Sequence, residues 1–211
     1  MDFISSELNR YAEAHTSDES PLLKRIERET RVGVHMSRMI SGHLQGRFLS
    51  LLTKMIRPRN ILEIGTYTGY SAICLAEGLT PGGKLFTIDI NEELESRVRN
   101  YFDEAGMSEK IQYSVGDAVE IISTLPGPFD FVFLDADKEN YARYFDLVID
   151  KIPSGGFILA DNVLWSGKVL NQKLDKDTKA IKAFNNKIQE DERVENVLLP
   201  VRDGIMIIRK I

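Results

Sequence analysis

Acidic and amide residues directly follow two apolar runs in the second half of the chain. Asp135-Ala136-Asp137-Lys138 follows Phe131–Leu134, and Asp161-Asn162 follows Gly156–Ala160. Because neighbouring parallel strands end at one edge of a sheet, we expect Asp135, Asp161 and Asn162 to lie together. Oxygen ligands without His or Cys favour magnesium, and also calcium or manganese, over zinc. The alternative is that these acids only cap the helices that follow.

A second polar group surrounds the glycines of residues 63–69, Glu63-Ile64-Gly65-Thr66-Tyr67-Thr68-Gly69. The order is strand, glycine turn and helix, which lets a ligand approach the backbone near free N–H groups. The dinucleotide fingerprint G-x-G-x-x-G is absent. The acid Glu63 would repel a pyrophosphate but suits a ligand with a cationic amino group. A tight turn without a ligand is the alternative.

Two further acids stand at the ends of predicted strands. Asp89 ends Lys84–Asp89, where a carboxylate can accept hydrogen bonds from ribose hydroxyls. Asp117 follows the next strand and could accept the exocyclic amine of adenine, while Ala118 could donate its backbone N–H. Both acids could instead cap helices.

The elements that must position these residues alternate from residue 60 onward. Residues 2–57 have a helical pattern, with Phe3, Ile4, Leu8 and Tyr11 at helix spacing and an apolar stripe over Ser41–Ile56 that includes Leu51 and Met55. Strands are predicted at Asn60–Gly65, Lys84–Asp89, Ile111–Val115, Phe129–Asp135, Gly156–Asp161, Val194–Pro200 and Ile205–Arg209. Helices are predicted at Tyr70–Leu79, Glu92–Ala105, Ala118–Leu125, Tyr141–Lys151 and Thr178–Glu190. This alternation predicts an α/β fold with a mainly parallel sheet between helices. The short turn at 201–204 makes the last strand pair antiparallel.

Composition is that of an ordinary soluble domain. The 211 residues carry a formal net charge of -5, which gives no global attraction to nucleic acid or to an anionic membrane. A single cysteine, Cys74, excludes an internal disulfide and is predicted to be buried. The chain has no transmembrane run and its start is unlike a signal peptide, so we expect a cytoplasmic protein.

Two sets of motifs carry a resemblance. Glu63-x-Gly65-x-x-x-Gly69 resembles the first motif of the S-adenosylmethionine (SAM) dependent methyltransferases. Leu134-Asp135-Ala136-Asp137-Lys138-x-x-Tyr141 and Asp161-Asn162-Val163-Leu164-Trp165-x-Gly167 resemble the metal-dependent O-methyltransferases. That family includes caffeoyl-CoA and catechol O-methyltransferases and small bacterial enzymes. The resemblance covers nearly the whole chain.

The resemblance implies a Rossmann-like class I methyltransferase fold. It implies a seven-stranded sheet of order 3-2-1-4-5-7-6 in a single domain over residues 1–211, with a helical cap over 1–57 and a core over 58–211. It also implies a homodimer.

The resemblance also assigns roles to residues. Asp135, Asp161 and Asn162 would bind the metal. The predicted contacts with SAM are Met39, Ser41, Glu63, Gly65, Thr66, Gly69, Ser71, Asp89, Asp117, Ala118 and Asp135. The chain departs from the family pattern at His43-Leu44-Gln45, near the predicted methyl-donor end.

The implied reaction is methyl transfer from SAM to one hydroxyl of a vicinal dihydroxy aromatic compound. Lys138 would be the general base, Asp137 would hold the acceptor or a water, and Trp165 would form an aromatic wall. Two alternatives stay open: a tRNA 5-hydroxyuridine O-methyltransferase, given the basic residues of the N-terminal helices, and a non-catalytic SAM-binding or partner-binding domain. A nicotinamide-dependent dehydrogenase is the weakest alternative, because the glycine fingerprint is missing.

Overall fold

The computed structural model describes residues 5–211, so the first part of the predicted N-terminal helix, with Phe3 and Ile4, lies outside the described residues. The helices are α1 (Ser6–Ala14), α2 (Pro21–Gly33), α3 (Gly42–Ile56), α4 (Tyr70–Ala76), α5 (Glu95–Glu104), α6 (Ala118–Thr124), α7 (Tyr141–Val148) and α8 (Lys176–Glu190). The strands are β1 (Asn60–Ile64), β2 (Lys84–Asp89), β3 (Ile111–Val115), β4 (Phe131–Leu134), β5 (Phe157–Asp161), β6 (Val194–Leu199) and β7 (Ile205–Lys210). Short 3-10 turns include Lys138–Asn140 and Trp165–Leu170.

The seven strands form one sheet in the order β3-β2-β1-β4-β5-β7-β6. The pairs β1–β2, β2–β3 and β4–β5 are parallel, whereas β7 pairs antiparallel with both β5 and β6. The predicted strand order and the antiparallel final pair are therefore confirmed.

The contacts within the chain group into two compact units. One unit is Glu7–Ala118, and the other is Val119–Ile211 together with Ser5 and Ser6. The organisation of residues 1–211 as a single domain stays a prediction. Among the described residues, none of the helices is long and apolar enough to cross a membrane.

The N-terminal unit, Glu7–Ala118, begins with helices whose ends follow local chemistry. Ser20 caps α2 by accepting a hydrogen bond from the backbone N–H of Leu23, and Pro21 occupies the first turn, where its missing N–H costs nothing. The order serine then proline at residues 20 and 21 therefore marks the start of α2.

Helix α3 packs through a different face from its apolar stripe. Its buried residues include Gln45, Gly46 and Leu49, whereas Leu51 and Met55 are 59% and 80% exposed. A Cβ at Gly46 would lie 2.6 Å from the Tyr70 ring, so close packing of α4 requires glycine on this face. Size at the contact, rather than hydrophobic periodicity, therefore decides which face of α3 is buried.

The C-terminal unit, Val119–Ile211, is built on strands β4 and β5. All four residues of β4 are buried, as expected for a central strand covered on both faces. The register pairs Leu134 of β4 with Ala160 of β5. The next residue on each strand is an aspartate, so the fold brings Asp135 and Asp161 to neighbouring positions at one edge.

Candidate functional site

Two carboxylates and one lysine meet where β4 and β5 end. Asp161 is 3% exposed and Lys138 is 8% exposed, while the side chain of Asp135 is mostly buried. Nζ of Lys138 lies 3.2 Å from Oδ1 of Asp135. Burial, helped by the Asp161 carboxylate and opposed by Lys138, raises the pKa of Asp135 from 3.8 to about 6. A cation would relieve this crowding of negative charge.

Tyr141 completes this cluster. Its side chain is fully buried at the start of α7, and its hydroxyl lies 2.5 Å from Nζ of Lys138. The same hydroxyl is within hydrogen-bonding distance of the carbonyl oxygens of Leu134 (3.0 Å) and Asp161 (3.1 Å). In the sequence, Tyr141 stood out only as the last residue of a motif. Its spacing of three from Lys138, across a helix start, was the available signal.

Asp137 is exposed at the N-terminal side of the 3-10 turn Lys138–Asn140. Its Oδ1 accepts a hydrogen bond from the hydroxyl of Tyr144 at 2.6 Å, and its Oδ2 accepts one from Nδ2 of Asn140 at 2.6 Å. Both oxygens are therefore held in place while the carboxylate still faces solvent.

Asn162 begins an unusual backbone segment. It has a positive φ of 59°, and its N–H donates to Oδ1 of Asp161 at 2.8 Å. The next carbonyl, that of Val163, accepts a hydrogen bond from Nδ2 of Asn185 in α8 at 2.9 Å. These contacts fix the backbone of Asn162 beside Asp161.

The turn between β6 and β7 holds the same segment from another direction. The carbonyls of Gly204 and Asp203 accept hydrogen bonds from the N–H groups of Val163 and Leu164, each at 3.0 Å. Gly204 has a φ of 86°, and a Cβ there would lie 2.5 Å from Cγ of Leu164. The sequence marked this turn only as a hairpin, so its support of the site was missed.

Trp165 presents its ring to two lysines. Nζ of Lys138 lies 5.9 Å and Nζ of Lys168 5.8 Å from the ring centroid. Both distances allow a cation–π attraction. The structure therefore brings the predicted aromatic wall close to the predicted base.

The glycine turn of the N-terminal unit follows β1. Gly65 has a φ of 105° and its N–H donates to the carbonyl of Ile88 at 2.9 Å. Gly69 has a φ of 79°, and a Cβ there would meet Phe102 at 2.8 Å. Both glycines are thus required by the backbone, and Ser71 is buried in the first turn of α4.

Glu63 points into the sheet. It is fully buried, and its Oε2 accepts a hydrogen bond from the hydroxyl of Thr87, its partner in the β1–β2 register. The hydroxyls of Thr87 and Thr66 lie 2.6 Å apart. Because the single hydroxyl proton of Thr87 goes to Glu63, Thr66 must be the donor to Thr87. The sequence did not single out Thr87, since its position depends on strand register.

Asp89 is held by backbone groups at the end of β2. Its Oδ2 accepts the N–H of Tyr67 at 2.6 Å, and its Oδ1 accepts the N–H of Asn91 at 2.9 Å. Each carboxylate oxygen can accept a further hydrogen bond, so the two hydroxyls of a ribose could still bind to Asp89.

The remaining predicted cofactor residues flank helix starts. Met39 is 53% exposed in the 3-10 turn Ser37–Met39, and Ser41 is buried just before α3. Asp117 is exposed directly before α6, and Ala118 is its first residue.

The donor chemistry fits the cofactors that the motifs imply. Within residues 5–211, no cluster of three or more His, Cys, Asp or Glu side chains is placed to bind a metal ion. The candidate ligands at the ends of β4 and β5 are of another composition, because they are Asp135, Asp161 and the side-chain amide of Asn162, with only two acids among them. Two carboxylates, one buried and one mostly buried, and one carboxamide suit a hard divalent cation.

The fold is that of a class I SAM methyltransferase. A family model described as O-methyltransferase matches residues 13–211, and the chain belongs to this family of enzymes.

Similar proteins agree with this assignment. Caffeoyl-CoA O-methyltransferase 5 of Nicotiana tabacum is 36% identical over 180 residues, which span 79% of this chain and 75% of the relative. The solved structure of SAH-bound methyltransferase PaMTH1 of Podospora anserina has a TM-score of 0.90 at 28% identity, covering 97% of this chain and 94% of that chain. The O-methyltransferase TomG of Streptomyces achromogenes, in complex with SAM, has a TM-score of 0.88 at 27% identity, covering 97% and 96%.

Proposed function

We propose that this enzyme transfers a methyl group from SAM to one hydroxyl of a vicinal dihydroxy aromatic compound, with the help of a divalent cation. The observation that carries the proposal is the buried Lys138 beside Asp135, at the edge where Asp161 also lies. A base next to two oxygen ligands is what deprotonation of a chelated diol requires.

SAM would be held by the residues around the glycine turn and the neighbouring strand ends. The side chains and backbone groups assigned to it are those of Met39, Ser41, Glu63, Gly65, Thr66, Gly69, Ser71, Asp89, Asp117, Ala118 and Asp135. When bound, SAM supplies a methyl group on a positively charged sulfur. Buried Glu63 supplies a negative charge that favours such a cationic ligand.

A divalent cation, with magnesium first and calcium or manganese as alternatives, would be held by Asp135, Asp161 and Asn162. When bound, it supplies positive charge that acidifies the acceptor hydroxyls and fixes their position. The hydrogen bonds at Asn162 and Val163 keep the ligand segment rigid without using the amide oxygen of Asn162.

Lys138 would take the proton from the acceptor hydroxyl at Nζ. The acceptor oxygen then forms its bond to the methyl carbon while the carbon–sulfur bond breaks and its electron pair stays with sulfur. Trp165 would stack on a planar acceptor, and Asp137, whose carboxylate faces solvent, would hold a polar group of it. Alignment and charge placement are the protein's main contributions.

The proposal also covers the kind of acceptor, a small molecule or tRNA, and the oligomeric state. The tRNA alternative would use cations of α2, but Arg25 pairs with Glu29 and Glu104, and Arg31 pairs with Glu27. Such pairing leaves less charge for phosphates, so a small-molecule acceptor is preferred. A homodimer in the cytoplasm is proposed by analogy.

The test is methyl transfer from labelled SAM to matched acceptors. We expect turnover with catechol and none with phenol, which lacks the second hydroxyl, and no loss of methyl transfer when tRNA is omitted. Equal turnover with phenol would contradict the chelated-diol proposal. Transfer to unmodified tRNA alone, weakening steeply with salt, would favour the alternative. Tight SAM binding without turnover on any acceptor would favour a non-catalytic domain.

A further inference from the structure

The hydroxyl of Tyr141 has a defined hydrogen-bond direction. It is placed between Nζ of Lys138 at 2.5 Å and the carbonyl oxygens of Leu134 and Asp161 at 3.0 and 3.1 Å. A carbonyl can only accept, and a lysine ammonium can only donate. The single phenolic proton therefore goes to a strand-end carbonyl, and the phenolic oxygen accepts a hydrogen bond from Lys138.

The ring of Tyr141 is fixed as firmly as its hydroxyl. It is fully buried and meets the ring of Phe184 edge-on, with centroids 5.4 Å apart and an interplanar angle of 81°. Lys138 thus meets a hydrogen-bond acceptor whose position is fixed by packing.

We propose that Tyr141 is a positioning residue for Lys138, an inference that rests on the proposed role of Lys138 as the base. Nζ directs one N–H to Tyr141 and another to Oδ1 of Asp135. A neutral amine keeps two N–H groups, which is enough for these two contacts, and its lone pair then faces neither Tyr141 nor Asp135. That lone pair receives the acceptor proton, which Lys138 later releases to solvent.

The experiment combines Tyr141→Phe with Lys138→Met, singly and together, in methyl transfer to catechol. Phenylalanine keeps the ring contact with Phe184 and removes only the hydroxyl. Loss of one hydrogen bond to a charged group predicts a fall in kcat of about 10- to 100-fold, with the KM for SAM unchanged. Loss of the base itself predicts a fall of at least about 100-fold. The double variant is expected to equal Lys138→Met, because a residue that acts only through Lys138 has nothing left to position.

The matched control is Tyr101→Phe. Tyr101 is also buried, and its hydroxyl donates to Oε2 of Glu29 at 2.6 Å in the other compact unit. This control loses a comparable hydrogen bond that involves none of the proposed catalytic or ligand-binding residues, and its kcat is expected to stay within twofold of wild type.

Four outcomes would overturn the inference. An unchanged kcat in Tyr141→Phe, together with a large loss in Lys138→Met, would show that Tyr141 does not position Lys138, and it would leave the proposed function standing. Effects that multiply in the double variant would indicate a purely structural role. A comparable loss of kcat in Tyr101→Phe would trace the effect to the general cost of losing a buried hydroxyl. Full activity in Lys138→Met would show that Lys138 is not the base, and the inference about Tyr141 would fail with it.

A second measurement applies if Tyr141→Phe does not purify as folded protein. Amine-selective 1H–15N spectra of the wild type should show slowly exchanging Nζ protons on buried Lys138, in contrast to the exposed Lys168. Equally fast exchange at both lysines would overturn the inference.

Discussion

Nζ of Lys138 lies 3.2 Å from Oδ1 of Asp135, and Lys138 is almost completely buried. A charged group of this kind is retained in a protein interior only with strong partners. Here the partners are a carboxylate and a tyrosine hydroxyl, and all three groups stand at the edge where the parallel strands β4 and β5 end. The arrangement links the fold directly to the chemistry that the enzyme would perform.

The role of Lys138 can be tested with acceptors of different acidity. In Lys138→Met, kcat for catechol should fall by at least about 100-fold, because no group takes the proton. The fall should be much smaller with 4-nitrocatechol, whose hydroxyl ionises without help. Initial rates for both acceptors, with SAM saturating, give the comparison. An equal fall for both would mean that Lys138 supports the structure or the ligand rather than the proton transfer.

The chain of hydrogen bonds from Thr66 through Thr87 to Glu63 should strengthen binding of the amino-acid end of SAM. In Thr87→Val this chain of hydrogen bonds is lost, and we expect the Kd for SAM to rise about tenfold, as for one lost hydrogen bond to a charged group. The affinity for 5′-methylthioadenosine, which lacks the ammonium, should not change. Isothermal titration calorimetry measures both.

Two variants control for the general cost of this change. Thr87→Ser keeps the hydroxyl and should bind SAM like the wild type. Thr53→Val removes another buried threonine hydroxyl, which bonds to the carbonyls of Leu49 and Ser50. Equal weakening of the binding of both ligands in Thr87→Val, or weaker SAM binding in Thr53→Val, would contradict a role of this hydrogen-bond chain in binding the amino-acid end of SAM.

Alanine substitutions at Gly204 and Gly82 should distinguish the cost of backbone strain from the cost of a steric clash. Both have a positive φ, 86° and 76°, but a Cβ would meet Leu164 at 2.5 Å in the first case and nothing within 4 Å in the second. Gly82→Ala should lower the unfolding free energy by about 1 kcal/mol, which is the usual cost of placing a residue with a Cβ in the left-handed backbone region. Gly204→Ala should cost about 1–3 kcal/mol more and should also reduce turnover, because the segment after Asn162 must shift. Denaturant unfolding and initial rates check this, and equal losses in the two variants would contradict the clash.

Glu77 should make the N-terminal unit sensitive to acid. Burial opposes its ionisation, but hydrogen bonds from Arg47, Ser50 and Lys54 outweigh this and lower the pKa of Glu77 from 4.5 to about 2. A carboxyl with a lowered pKa stabilises the native state above pH 4.5, and this contribution disappears as pH falls toward 2. The shift corresponds to about 3 kcal/mol at neutral pH.

Glu77→Gln tests this dependence. The difference in unfolding free energy between wild type and variant should be about 3 kcal/mol at pH 7 and should shrink steadily below pH 4.5. Glu95→Gln, which removes an exposed pair with Arg99, should cost less than about 1 kcal/mol at any pH. A pH-independent difference for Glu77→Gln would contradict the assigned pKa.

Much of this architecture could be predicted because it depends on short apolar runs. β2 and β3 have the predicted bounds, and the meeting of Asp135 with Asp161 follows from strand ends alone. The contact between Tyr141 and the carbonyl of Asp161 could not be derived, since it joins residues 20 positions apart through the rotation of one ring.

Other features depended on sheet register or on close packing. Thr87 faces Glu63 only because of the β1–β2 register, and no local pattern fixes that register. The buried face of α3 was hidden because its contact with Tyr70 uses Gly46 rather than an apolar side chain. Periodicity detects apolar faces, but it does not detect a face that packs because its residues are small.

The most direct test of the central claim is methyl transfer to catechol with magnesium and with excess chelator, for wild type and Asp161→Asn. The variant keeps the size of the side chain and an oxygen for the N–H of Asn162, but it removes one negative charge. We predict turnover that requires magnesium in the wild type and is lost in the variant, with the same calorimetric Kd for SAM in both. Turnover that survives the chelator, or that is unchanged in Asp161→Asn, would contradict a metal-assisted reaction at the ends of β4 and β5.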